Sequence, residues 1–417
     1  MSLLIFNIGE LVQTREEHVA FVAGKEMSQL PVIKNAWLLI EDNIIAGYGP
    51  MAGLPTDITR SHKIDAGGGF VFPSFCDSHT HIVYAGSREQ EYTDKIMGLT
   101  YEEIAKRGGG ILNSALLLHD TPEDELYRQS MERIWEIIGF GTGAVEIKSG
   151  YGLSTEDELK ILRVIRRIKQ DSPITVKATF LGAHAIPSRF KDDRNGYIEL
   201  VINEMIPAVA ADRLADYIDV FCDRGFFTVE ETEKILLAGS QYGLIPKMHA
   251  NELDFSGGIQ LGVKYKALSV DHLEFTGDDE IAALLDSGTM PTLLPGAAFF
   301  LGMENPPARK MIEAGLPLAL ASDYNPGSSP SGNMKLVMSL GCIRLKMLPE
   351  EVINAVTLNT AYAMGISDTH GSITVGKKAN LFITKKIPSY QFVPYAYGSN
   401  MVERVILNGE VQEGIKN

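Results

Sequence analysis

Eight short apolar runs, at residues 71–76, 144–148, 176–181, 218–222, 246–248, 268–270, 290–294 and 318–321, alternate with amphipathic stretches. A run of that length between turn residues reads as a strand buried on both faces, which a parallel sheet covered by helices requires. In one intervening stretch Leu159, Leu162, Ile165 and Ile168 recur at helical spacing, and Thr155 with Glu158 has the spacing of a capping box. Thr228 with Glu231 repeats that spacing, Gly243 offers a stop, and Gly288 and Gly315 fall just before strands. Such alternation predicts an α/β fold, a (β/α)8 TIM-like barrel over residues 67–370. An open doubly wound sheet is the alternative, although no glycine-rich dinucleotide fingerprint opens the first unit.

The two ends read differently. Residues 1–66 hold apolar runs at 3–8, 36–41 and 44–47, with Glu41-Asp42-Asn43 as a turn. Residues 371–417 hold runs at 380–384 and 402–407, with Asn408-Gly409 placed as a hairpin turn before Val411. Both ends lack helical periodicity, so they predict a small β-sandwich domain built from both termini.

Charge and cysteine usage narrow the partners. Lysine and arginine number 38 against 53 aspartates and glutamates, a net charge of −15. That balance disfavours nucleic acid and anionic membrane surfaces, and it obliges any anionic substrate to find a locally placed cation. Cys76, Cys222 and Cys342 are few and far apart, which argues against a disulfide framework. The start of the chain lacks a basic, then long apolar, leader pattern, and no apolar stretch approaches a membrane span. A soluble, cytoplasmic protein acting on a small molecule is the expectation.

The chemistry is carried by polar residues at the ends of these runs. His79-Thr80-His81 follows the first, and residues two apart on an extended chain share a face. His249 follows the fifth run, His272 the sixth and Asp323 the eighth. In a closed barrel those ends meet on one rim, where active sites of this architecture lie. Taken singly, each histidine reads as a hydrogen-bonded structural group, and Asp323 as the start of a turn with Asn325, Pro326 and Gly327. Taken together they would be costly without a metal ion or paired partners. His79, His81, His249 and Asp323 form a mixed nitrogen and oxygen ligand set suited to one divalent ion, zinc or ferrous iron. Such an ion lowers the pKa of its water to about 7.

The motifs extend beyond these ligands. Asp77-Ser78-His79-Thr80-His81, Ala85-Gly86-Ser87-Arg88, the segment 146–153, Leu181-Gly182-Ala183-His184, His249-Ala250-Asn251-Glu252, Asp271-His272-Leu273-Glu274 and the segment 322–328 resemble the imidazolonepropionase family of the mononuclear amidohydrolase superfamily. Binuclear members carry a lysine at the end of the fourth strand, where this chain has Phe221-Cys222-Asp223. Many relatives have aspartate where Asn380 stands, far from the proposed metal. The resemblance implies a hydrolase acting on the C–N bond of a cyclic amide, converting 4-imidazolone-5-propanoate to N-formimidoyl-L-glutamate in histidine degradation. It implies Glu252, His272 and Asp323 as catalytic groups. Glu252 would be the main base and proton shuttle, His272 would steady the carbonyl oxygen, and Asp323 would accept a hydrogen bond from the water while bound to the ion; these roles are open to permutation. It also implies substrate contacts from Arg88, Tyr151, His184, Asn325, Gly327 and Ser328, a weaker contact from Tyr101, and a homodimer. Arg88 offers a bidentate fork to the propionate, although alone it also reads as a surface ion pair with Glu89 or Glu91. The run Gly108–Gly110 lacks the following lysine of a phosphate loop and reads as a loop over the site. A mononuclear purine or pyrimidine deaminase would share the ligands but has no carboxylate for Arg88, and a barrel serving only as a scaffold would not keep the ligand set.

Overall fold

The computed structural model describes residues 2–55, 62–99 and 109–413. Tyr101 and Gly108 therefore lie outside the described residues. The barrel strands are Phe75–Thr80, Thr142–Lys148, Thr175–Ala183, Tyr217–Cys222, a fifth in two pieces (Ile245–Pro246 and Met248–Ala250), Ser269–His272, Met290–Leu293 and Ala319–Leu320. They pair in parallel and in sequence order. Closure between the first and last strands is made by a parallel bridge from Thr80 to Tyr324. The strands are buried on both faces, as their near-continuous apolar runs require.

The first run is the main departure from expectation. Residues 71–76 are two strands, not one. Val71–Pro73 pairs with Leu381–Thr384 in the small terminal sheet, and the barrel strand begins at Phe75. Pro73 has no N–H for a ladder, and the Ser74 N–H turns to the carbonyl of Asn380 at 2.8 Å. His79 consequently sits within the first barrel strand. The terminal sheet reaches past the boundary expected at residue 66.

That sheet takes strands from both ends of the chain. Ser2–Val12, Val32–Glu41, Ile44–Pro50, His62–Asp65, Val71–Pro73, Leu381–Thr384, Val402–Leu407 and Glu410–Val411 form one connected, mostly antiparallel sheet. Its core, including Ile5, Leu38, Ile40, Leu381 and Ile406, is separate from that of the barrel. Asn408 and Gly409 both have positive φ, as a tight hairpin turn needs.

The helix Thr155–Asp171 buries Leu162, Ile165 and Ile168 against the barrel. Its cap is Ser154, whose hydroxyl accepts from the Asp157 N–H, and not Thr155 with Glu158. Glu158 is spent elsewhere, on the loop before the helix. The second expected capping box, Thr228 with Glu231, is present on the helix Val229–Gln241. Among the described residues no helix is long and apolar enough to cross a membrane.

Candidate active site

His79 and His81 stand at the end of the first barrel strand, His249 on the fifth, His272 at the end of the sixth and Asp323 just beyond the eighth. Nitrogen atoms of His79, His81 and His249 lie within 4.8 Å of one another. Asp323 Oδ1 lies 3.6 Å from His79 Nε2 and 3.7 Å from His81 Nε2. Burial holds His79 and His81 well below the usual imidazole range, so each is neutral and offers a lone pair. His79 Nδ1 donates to Asp271 Oδ2 at 2.7 Å, and His249 Nδ1 to Asp219 Oδ2 at 3.0 Å, which leaves Nε2 of each ring for a ligand. His79 Nε2 is buried without a hydrogen-bond partner. An orphaned nitrogen beside two more imidazoles and a carboxylate fits one divalent cation.

The backbone is strained at the same place. His272 has φ +86° and Asp323 φ +52°, left-handed values that a branched or bulky side chain avoids. Such conformations cost on the order of 1–3 kcal/mol and persist where surrounding structure enforces them.

The ring of imidazoles floors a cavity of about 460 Å³ whose walls include Arg88, Tyr151, His184, Glu252, His272, Asp323, Asn325, Gly327 and Ser328. Glu252 and His272 face each other, with His272 Nδ1 3.7 Å from Glu252 Oε2. Burial, then the nearby Asp323 carboxylate, pushes the Glu252 carboxyl up to about 8, and burial holds His272 neutral. His184 Nδ1 donates to the carbonyl of Gly150 at 2.9 Å, so its Nε2 is an acceptor, and burial depresses the ring to about 3. Tyr151 is buried on the adjacent loop, where Glu158 clamps the N–H groups of Gly150, Gly152 and Leu153.

Arg88 forms the ion pair its sequence context allowed, with Glu91 and not Glu89. Its Nη2 and Nε bind Glu91 Oε2 at 2.6 and 2.9 Å, and the pair is nearly buried at the cavity wall, not on the surface. A Cβ on Gly327 would collide with this guanidinium, so glycine there is what lets Arg88 lie flat against the 322–328 loop. Asn325 shapes that loop: its Oδ1 accepts from the N–H groups of Gly327 and Ser328, and its Nδ2 donates to the Asp323 carbonyl. Ser328 Oγ donates to Asp323 Oδ2 at 3.2 Å. Both side chains are thus engaged in holding Asp323 and its loop.

Several residues around this site received no role from the sequence, although Glu146, Lys148, Asp271 and Glu274 lie within its motifs. Asp219 and Asp271 orient the histidines, and Glu146, Lys148 and Lys247 lie buried beneath them. Asp223 holds the Glu252 loop by accepting from the N–H groups of Glu252 and Leu253. Glu274, raised well above the carboxylate range by burial and then by Glu252, lies beside His272. Glu146, Lys148, Asp219 and Asp271 do give one signal, a charged residue inside an apolar strand, which must face a partner within the barrel.

Comparison with known proteins agrees with this geometry. A model of the amidohydrolase family matches residues 70–412. An imidazolonepropionase from Flavobacterium johnsoniae is 57% identical over 411 residues, covering 99% of this chain and 100% of the relative. One from Geobacillus kaustophilus is 42% identical, covering 98% and 97%. Among solved structures, a 5-methylcytosine deaminase from Klebsiella pneumoniae with 5-fluorocytosine superposes with TM-score 0.74 at 18% identity, covering 99% of this chain and 98% of that one. An adenosine deaminase from Xanthomonas campestris with bound zinc gives 0.70 at 16%, covering 98% and 92%. At such identities the deaminases share the fold alone. The chain belongs to the amidohydrolase family and, within it, to the imidazolonepropionases.

Proposed function

We propose that this chain hydrolyses the ring amide of 4-imidazolone-5-propanoate to N-formimidoyl-L-glutamate. The observation that carries the reading is Arg88 in the same cavity as the imidazole cluster. A propionate-bearing ring needs a cation at one end and a water-activating centre at the other. A neutral nucleobase, the substrate of the rival deaminase reading, offers the guanidinium no carboxylate beyond that of Glu91.

His79, His81, His249 and Asp323 would hold one ion, zinc or iron. When bound, that ion supplies an acidified water as nucleophile and polarises the ring carbonyl. The chain's own residues do the rest. Glu252, on the loop that follows His249, accepts the proton of the attacking water and passes it to the ring nitrogen as its bond to the carbonyl carbon breaks. His272 steadies the carbonyl oxygen as charge develops on it. Arg88 forks the propionate, with Tyr151 and His184 beside it on the cavity wall, and Gly327 gives the guanidinium room. Asn325 and Ser328 keep Asp323 in place through the loop and its hydrogen bonds. The same reading carries the expectation of a cytoplasmic homodimer.

The test is a coupled assay in which imidazolonepropionate is generated in situ and its ultraviolet absorbance is followed. Metal-loaded protein should abolish the absorbance and produce N-formimidoyl-L-glutamate. Persistence of the absorbance would refute the assignment.

A further inference from the structure

Beneath the histidines lies a layer of charge with no solvent contact. Lys148 on the second barrel strand donates to Glu146 Oε1 at 2.7 Å and to Asp219 Oδ2 at 2.8 Å, and lies 3.6 Å from Asp271 Oδ2. All four side chains are fully buried. The two aspartates come from the fourth and sixth strands, so Lys148 joins alternate strands across the barrel interior, as layered barrel packing allows.

The oxygens are used in a repeated pattern. Asp219 Oδ2 faces both Lys148 and His249 Nδ1, while Oδ1 accepts the His249 N–H at 3.0 Å. Asp271 Oδ2 faces both Lys148 and His79 Nδ1, while Oδ1 accepts the Ser269 hydroxyl at 2.6 Å. One ammonium therefore touches the two carboxylates that orient two histidines on different strands. Lys247 binds Glu146 Oε2 and the carbonyls of Ser78 and Ala363, and its charge acts on Asp271 without contact.

Charge also balances across the layer. Glu146, Asp219 and Asp271 against Lys148 and Lys247 leave the layer within one negative charge of neutrality. Without Lys148, Asp219 and Asp271 would face each other in a dry interior, and each would swing away from the geometry its histidine needs.

We infer that Lys148 is a positioning residue for the metal centre: a single buried ammonium fixes His249 and His79 in a common orientation by way of Asp219 and Asp271. The inference rests on the reading of His79 and His249 as ligands of one ion.

Wild type, Lys148→Met, Lys148→Gln and Lys247→Met are stripped of metal and titrated with zinc against a chromophoric chelator. Each is also loaded with cobalt, and its visible spectrum is recorded per bound ion. Losing a group that holds a ligating histidine typically costs metal affinity about 10- to 100-fold, and removing Lys148 disturbs two such groups at once. Both Lys148 variants should weaken zinc binding by about that factor and shift the cobalt bands, because two imidazoles change orientation. Lys247→Met, equally buried and acting on Asp271 only without contact, should shift the bands less and bind zinc more tightly than either Lys148 variant. Lys148→Gln keeps two N–H donors, and it decides the matter if Lys148→Met yields no folded protein. Wild-type affinity and unchanged cobalt bands in the Lys148 variants would overturn the inference, as would an equal loss in Lys247→Met. A wild-type protein that takes up neither zinc nor cobalt would instead sink the metal reading beneath it.

Discussion

The backbone N–H of Asp323 donates to the carbonyl of His79 at 3.0 Å. Next along the same seam, the N–H of His81 donates to the carbonyl of Tyr324 at 2.9 Å. The first and last barrel strands therefore close on each other at the residues that carry three of the four proposed ligands. Asp77 reinforces the seam by accepting the N–H of Ser322 at 3.0 Å. Closing the barrel and assembling the site are one event.

Removal of the ion should for that reason be felt by the whole barrel. An ion bound only to the folded state at a free concentration roughly 100 times its Kd adds about 2.7 kcal/mol of stability. Chelation should lower the Tm in differential scanning calorimetry, and added zinc should restore it. A Tm indifferent to chelator would argue that the first, fifth and eighth strands share no ion.

Glu252→Gln should keep the cavity and the metal but lose the base. General acid–base groups typically contribute about 10²- to 10⁴-fold, so kcat should fall in that range with little change in KM. Steady-state kinetics on protein of verified metal content would check it.

The same residue should set the acid limb of the pH profile. Glu252 acts ionised, so the rate falls as pH drops through its pKa. Burial, followed by Asp323, raises that pKa from 4.5 to about 8, and a bound cation draws it back down. The limb in kcat/KM should therefore lie between these two values and vanish in Glu252→Gln. A limb that survives in the variant would assign it to another group.

Arg88→Ala should act on binding. A hydrogen bond to a charged group is worth about 1.5–3 kcal/mol, equivalent to roughly 10- to 150-fold in KM. Arg88→Lys should recover part of this, because charge returns without the planar fork. An unaltered KM in Arg88→Ala would remove the carboxylate assignment.

Gly327→Ala should resemble Arg88→Ala while leaving the arginine itself unsubstituted. The added methyl collides with the guanidinium and displaces it from the 322–328 loop. KM should rise while metal content stays at the wild-type level. Pairing the two substitutions in a double-mutant cycle should give strongly non-additive losses, since they disturb one contact.

Much of this arrangement is legible along the chain. Each of the eight apolar runs contributes to a barrel strand, because strand length and burial are local properties of sequence, although the first run gives its opening residues to the terminal sheet. Polar residues just past those runs mark the rim, since a barrel sends every strand end to one face. Glu158 shows the limit: its spacing to Thr155 fits a cap, yet it folds back onto the loop carrying Tyr151. Arg88 shows another, because its pairing with Glu91 is local while its place in the cavity depends on a loop more than 230 residues away.

The amino-acid order alone nominated the residues that could bind a metal and the elements that would carry them, since periodicity and side-chain chemistry act over a few neighbours. Tertiary structure decided which oxygen orients which imidazole, which lysine bridges which aspartates, and how far Glu252 is pushed towards its neutral form. Those outcomes depend on distances between strands remote in sequence and on the exclusion of water from the interior. Both exist only once the barrel has closed.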